Sequence, residues 1–232
     1  MNILAMDTSA AVLSAALSSE TGVWYFETDG GLRHGELLMG VIDHLLGCAD
    51  LKSTDLELVG CMKGPGSFTG LRIAFATAKG LALSLGIPMV SAPTLDCMAA
   101  SQANWPGIVL PAIDAKQGRF FTALYRNSMR ESAYMDASPE DIAQEIATTA
   151  KKDVPVILSG PSADLLLDKL KPFFDPNRFY IDPLGKRGKA RELLDIIKRT
   201  GTTDSEKEIF SGPFYLRKSD AEITATKRRP PA

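Results

Sequence analysis

The densest run of chemistry-bearing residues is Gly64-Pro65-Gly66-Ser67-Phe68-Thr69-Gly70-Leu71-Arg72. Its glycines would let the backbone approach a ligand closely, and a helix opening near Phe68 would aim unpaired N–H groups at an anion. It is not a Walker A loop, because no Lys-Ser/Thr pair follows the last glycine, and it does not fit GxGxxG. The same residues also serve a bland purpose: Gly-Pro-Gly makes a turn and Ser67 caps the helix. Local chemistry does not choose between the two. Asp7 and Asp114 each close an apolar run beside a hydroxyl or glycine turn. Such aspartates orient magnesium and an attacking oxygen in phosphoryl-transfer enzymes, but they are also ordinary turn residues. His34 and His44 are ten residues apart and Leu38 follows His34 by four, so no i, i+4 metal pair forms and no bound metal is expected. Nothing marks Ser67 as the partner of either histidine in a nucleophilic triad. Cys48, Cys61 and Cys97 are odd in number and lack CxxC spacing, which suits reduced thiols.

These residues need a scaffold, and apolar spacing predicts one. Strands are expected at Ile3–Met6, Val12–Leu17 and Val23–Phe26, then a helix carrying Leu37, Leu38, Val41, Ile42, Leu45 and Leu46. A strand at Leu58–Met62 runs into the glycine segment. The helix after it should stop at Gly86, with Pro88 just beyond. On that helix Gly70, Ala74, Ala78 and Ala82 form one small-residue row, and Ala76, Gly80 and Ser84 form another. Either row would let a second backbone come close, and spacing alone does not say which meets the protein's own sheet. A short strand near Met89-Val90 and a helix from about Thr94 to Ala103 close the first half.

The second half begins alike, with strands at Gly107–Ile113 and Phe120–Tyr125 and a third over Ser132–Met135. A helix capped by Ser138, with Pro139 and acids in its first turn, should follow. Then come a strand at Val154–Leu158, a helix at Ser162–Leu170, a strand at Phe179–Ile181 and a helix at Lys189–Thr200. Asp7 is preceded by Ile3-Leu4-Ala5-Met6 and followed by Ala16-Leu17; Asp114 is preceded by Leu110-Pro111-Ala112-Ile113 and followed by Ala123-Leu124 at the same offsets. This repetition favours a duplicated mixed-sheet α/β architecture over a Rossmann fold.

The 26 basic and 28 acidic residues give a formal net charge of -2, which argues against nucleic-acid binding unaided. The basic clusters Lys186–Arg191 and Lys227-Arg228-Arg229 read first as solvated surface. No secretory signal is expected, since Asp7 interrupts the first apolar run. The uncharged stretch Gly80–Leu95 contains Gly86, Pro88 and Pro93 and is too short and broken for a span. A soluble protein is expected, with no membrane partner.

The chain resembles the TsaB/YeaZ family, also labelled glycoprotease-like. The resemblance rests on Ile3-Leu4-Ala5-Met6-Asp7-Thr8-Ser9, on His34-Gly35-Glu36-Leu37-Leu38, and above all on Gly64–Arg72 continuing through Ala78-Lys79-Gly80-Leu81-Ala82 to Ile87-Pro88. Pro111-Ala112-Ile113-Asp114-Ala115 and Gly212-Pro213-Phe214-Tyr215-Leu216-Arg217 complete it. Gly35 stands where such sequences often carry Ser, which weakens the helix start. The resemblance implies an ASKHA (actin-like ATPase) fold of two ribonuclease-H-like lobes, drawn here at 1–105 and 106–232, the latter with a C-terminal tail. It implies a cytoplasmic accessory subunit without catalysis of its own. Such a subunit supports a TsaD-type transferase, which adds the threonylcarbamoyl group to the adenosine 3′ of the anticodon in tRNA. That transferase holds metal through His-x-x-x-His, and Leu38 stands here in place of the second His. A TsaE-type ATPase joins the assembly, tRNA is engaged indirectly, and the chain pairs with itself when alone. By analogy the partner surface uses Leu37, Leu38, Val41, Ile42 and Leu45 of the first helix with Gly70, Ile73, Ala74, Ala76, Thr77 and Gly80 of the second. No cofactor is expected in the isolated chain. ATP or ADP is expected only at the joint surface, with Asp7, Thr8, Gly64, Gly66, Ser67 and Arg72 nearest to it.

Two other readings compete. An ATP-dependent phosphotransferase of the sugar-kinase/actin superfamily would use Asp7 and Asp114, but the second half lacks a convincing glycine-rich adenosine site. A metallopeptidase needs a metal pair and a general base that the residues do not supply.

Overall fold

A computed structural model describes residues 1–31, 33–201 and 205–217. The tail cluster Lys227-Arg228-Arg229 lies outside the described residues. The first half runs β1 (Ile3–Asp7), β2 (Leu13–Ser18), β3 (Val23–Thr28), α1 (His34–Cys48), β4 (Leu58–Gly64), α2 (Phe68–Leu85), β5 (Met89–Pro93) and α3 (Thr94–Ala100). The second half begins with β6 (Ile108–Lys116), β7 (Arg119–Thr122), β8 (Tyr125–Arg126), β9 (Met129–Arg130) and β10 (Met135–Ala137). It continues through α4 (Pro139–Thr149), β11 (Val156–Ser159), α5 (Ala163–Leu170), β12 (Phe179–Ile181), α6 (Ala190–Thr200) and α7 (Ser205–Phe210).

The two halves share one topology. The first sheet has the order β3-β2-β1-β4-β5 and the second β10-β7-β6-β11-β12. In each, the first three strands pair antiparallel, and the fourth and fifth join in parallel. A strand-strand-strand-helix-strand-helix unit therefore occurs twice, as the matched surroundings of Asp7 and Asp114 predict, and the molecule is a duplicated mixed-sheet α/β protein. The expected third strand at Ser132–Met135 lies slightly later, as β10. Before it the chain makes a small hairpin, β8–β9, through left-handed Asn127 and Ser128.

Helix ends follow the local chemistry. Ser67 Oγ accepts from Gly70 N at 3.2 Å, and left-handed Gly86 closes α2. Ser138 and Asp141 form a reciprocal capping box on α4. Gly35 follows a start without a side-chain cap, at Arg33.

The first sheet is covered on both faces, which is why every residue of β1 is apolar up to Asp7. Leu4 and Met6 pack with α1 and α2. Ile3 and Ala5 pack on the other face with Ala190, Leu193, Leu194 and Ile197 of α6. This differs from a second lobe spanning 106–232: α6 lies in the second half of the chain but completes the core of the first sheet, and α7 packs on β5. Burial of its apolar stripe decides where α6 goes, and sequence neighbourhood does not. Among the described residues no helix is long and apolar enough to cross a membrane.

Candidate functional site

The glycine segment between β4 and α2 sits against the β1–β2 turn. Ser67 N donates to Ser9 O at 2.7 Å, and Thr8 Oγ1 donates to Gly70 O at 2.7 Å. A Cβ on Gly66 would lie 2.6 Å from Ser9 O, and one on Gly70 would overlap Thr8 O. Gly64 has φ 110° and faces Phe214 O, while Phe214 N donates to Lys63 O at 2.7 Å. The close approach that these glycines allow is thus made to the protein's own backbone. Ser67 N and the Thr8 hydroxyl, two groups expected near a nucleotide, are occupied internally.

Asp7 is 2% exposed. Its Oδ1 accepts from Ser9 N at 2.9 Å and Ser9 Oγ at 2.6 Å, and its Oδ2 accepts from Lys189 N at 2.9 Å. Ser14 Oγ accepts from Ala190 N at 3.1 Å. Asp7 and Ser14 together cap α6 from the first sheet, so both Asp7 oxygens are engaged. Asp114 is more open. Its Oδ1 accepts from Lys116 N at 2.7 Å and its Oδ2 from Lys116 Nζ at 3.0 Å. Partial burial works to raise its pKa, but the Lys116 contacts outweigh it and hold the carboxyl below its ordinary value. The hairpin tip beyond it, Lys116-Gln117-Gly118, is left-handed at all three residues.

His34 is buried with Nε2 donating to Ala11 O at 3.0 Å, and Leu38, 1% exposed, lies in the core. Among the described residues no three His, Cys, Asp or Glu side chains converge as metal ligands. Burial pushes the Cys61 and Cys97 thiols up, and all three cysteines are free. The internal basic cluster is partnered throughout: Lys186 with Asp164, Arg187 with Glu27, Lys189 with Leu184 O and Arg191 with Asp195.

Between the lobes lies a cleft of about 700 Å³, walled by Ala10, Ala11, Ile73, Ile113 and Phe121, with His34, Asp114 and Lys116 at its polar edges. A recess of about 350 Å³ adjoins it, lined by Pro65, Phe68, Phe121, Phe214 and Tyr215.

The residues expected to meet a partner divide sharply. Leu38, Val41, Ile42 and Leu45 are buried against the first sheet, so the α1 stripe is core, and only Leu37 is partly open. A sheet-packed helix needs a stripe of that width for itself, and the expectation that Leu38, Val41, Ile42 and Leu45 meet a partner is corrected. On α2 the row Gly70, Ala74, Ala78 and Ala82 is buried. The other row is open: Ala76 and Gly80 are exposed, with Ile73 and Thr77 half-buried beside them. Leu83 on the same helix is 66% exposed, and Met39 on α1 is 48% exposed. Sequence reasoning missed both, although each is an apolar residue on the otherwise polar side of an amphipathic helix, which is a readable signal.

The family model for TsaD, tRNA N6-adenosine threonylcarbamoyltransferase, matches residues 29–168. The tRNA threonylcarbamoyladenosine biosynthesis protein TsaB of Bacillus subtilis is 31% identical over 225 residues, covering 96% of each chain. Its namesake in Escherichia coli is 36% identical over 129 residues, 54% of this chain and 55% of that protein. Among solved structures, YeaZ from Pseudomonas aeruginosa superposes with a TM-score of 0.73 at 24% identity, covering 93% of this chain and 99% of that one.

Proposed function

Because the chain belongs to the TsaB/YeaZ family of tRNA threonylcarbamoyladenosine biosynthesis proteins, we propose that it is a non-catalytic, cytosolic accessory subunit. It docks on a TsaD-type transferase and supports transfer of the threonylcarbamoyl group to the adenosine 3′ of the tRNA anticodon. The observation that carries this reading is the open face of α2, where the small residues Ala76 and Gly80 are exposed together with Leu83, while Met39 is exposed on α1. Small residues flanked by exposed apolar ones let another helix approach closely. The same surface closes a homodimer when the transferase is absent, and a TsaE-type ATPase joins the complex. The lack of catalysis is supported by the engagement of Asp7 and of Ser67 N within the fold. That engagement equally weighs against a phosphotransferase. Any ATP or ADP belongs to the joint surface with the transferase.

Size-exclusion chromatography of the full chain with a purified TsaD-type transferase tests this reading. Co-elution is expected at about 10 µM of each, a range in which a standard-sized interface persists. Gly80→Arg, which places a long charged side chain on the open, solvent-facing side of α2, should abolish co-elution and convert the free homodimer to monomer. Failure of the unaltered proteins to associate at that concentration would sink the proposal.

A further inference from the structure

Phe68, at the first turn of α2, and Tyr215, in the segment after α7, meet at the rim of the smaller recess. Their ring centroids are 5.3 Å apart with planes tilted by 35°. The Arg72 guanidinium lies 3.8 Å over the Phe68 ring and its Nε donates to the Tyr215 hydroxyl at 3.3 Å. The tail that carries Tyr215 is pinned on both sides, by Phe214 N on Lys63 O and by Arg217 on Asp136 and Ala115 O. The tilted ring pair is therefore held in place before any ligand arrives. A contact that served only to hold the tail would bury its rings, yet Phe68 is 41% and Tyr215 36% exposed.

Charge around the platform runs against that of the whole chain. Lys116 and Arg217 line the recess, Arg72 lies over Phe68, and Arg119 shares Asp136 with Arg217, against the two carboxylates Asp114 and Asp136, whereas the molecule carries a formal net charge of -2. Aromatic and guanidinium planes rimmed by cations are the chemistry that receives an unpaired base and its phosphate. The recess of about 350 Å³ has room for one planar ring system, and a paired base does not offer its face.

We propose that this platform binds an unpaired ribonucleotide in a single-stranded RNA segment, with the base stacked on Phe68 and Tyr215 and the adjoining phosphate at Lys116. The contact goes beyond docking on a transferase, because Phe68 lies about two to three helical turns from the Ala76–Gly80 surface. With so few cations it depends on stacking more than on charge, so its salt dependence is shallow.

The test is fluorescence anisotropy of the full chain with a labelled, unmodified anticodon stem–loop RNA, and with the same loop strand annealed to its complement. AMP serves as competitor. The stem–loop should bind at least about tenfold tighter than the duplex, with AMP competing only at far higher concentration. Phe68→Ala should weaken binding about tenfold and Phe68→Tyr by no more than about twofold, as expected of a stacking ring. Lys116→Gln should lower the log–log salt slope by about 0.7, the value for one phosphate contact on a single strand. Melting curves establish that the variants fold. Equal affinity for stem–loop and duplex, unaltered binding by Phe68→Ala, or no binding at about 100 µM would each overturn the proposal. Competition by AMP at the concentration of the RNA itself would overturn the RNA assignment in favour of a free nucleotide.

Discussion

Both oxygens of the Asp7 carboxylate are spent on the fold, one on the turn at Ser9 and one on the N-terminus of α6. Asp7→Ala would leave three buried donors without an acceptor. The expected cost is about 3 kcal/mol or more, lowering the melting temperature by roughly 6–12 °C for a chain of this size. A catalytic aspartate would behave the other way, with activity lost and melting unchanged. Asp136 is a different case. Burial works to raise its pKa, but the hydrogen bonds from Arg217 and Arg119 prevail and hold it below the ordinary 3.8. A depressed carboxyl contributes stability that is complete above the unfolded value and is lost as pH falls through the folded one. Asp136→Asn should therefore destabilise by about 1–3 kcal/mol at neutral pH. Its urea midpoint should converge with that of the unaltered protein as pH falls through the folded pKa of Asp136, below which the native carboxyl is also neutral. A constant gap across that range would refute the assignment.

Helix α2 shows at the scale of the element how one segment carries two unlike faces. Its row Gly70, Ala74, Ala78 and Ala82 faces the sheet, and Ala76 and Gly80 face solvent. A Cβ on Gly80 meets nothing within 4 Å, so Gly80→Ala should stabilise the isolated chain by about 0.5–1 kcal/mol through helix propensity. The same change should weaken association with a TsaD-type transferase, since the added methyl group stands where the partner's backbone would come closest. Denaturant melts and binding titrations of one variant would then move in opposite directions; parallel movement would remove Gly80 from the interface. This division also marks where the sequence stops being readable. The Ser67 cap, the Gly86 stop and the Ser138 cap were all visible, because each is chemistry between neighbours in the chain. The assignment of rows to faces was not, because periodicity records that a face is apolar without recording what covers it. The Leu38–Leu45 stripe illustrates the error this invites: its width is what one sheet requires. The reason for the glycines at 64, 66 and 70 was hidden in the same way, since the backbones they touch lie dozens or more than a hundred residues away.

The molecule as a whole is two copies of one sheet, yet it is not two separable halves. The repeat around Asp7 and Asp114 was legible, whereas the return of α6 to the first sheet was not. A helix of strong amphipathicity fits any uncovered apolar face, and only the assembled fold shows which face is open. Several links cross the lobes. Lys189 N donates to Asp7, and the hydroxyls of Tyr125 and Tyr134 donate to Asp96 at 2.5 and 2.8 Å. The tail meanwhile runs from Lys63 to Asp136. Through α6 the second half of the chain is also anchored among Ile3, Ala5, Leu58 and Met62 in the core of the first sheet. Calorimetry should accordingly give one transition with equal calorimetric and van't Hoff enthalpies, despite the duplicated architecture. Leu194→Ala tests the coupling directly. Leu194 is fully buried among first-sheet residues although it lies in the second half of the chain. Its truncation should cost about 2–5 kcal/mol and move the whole transition down by roughly 2–4 °C for each of them. A transition that splits, with the second sheet melting at its original temperature, would show that the lobes fold independently and that α6 only rests on the first.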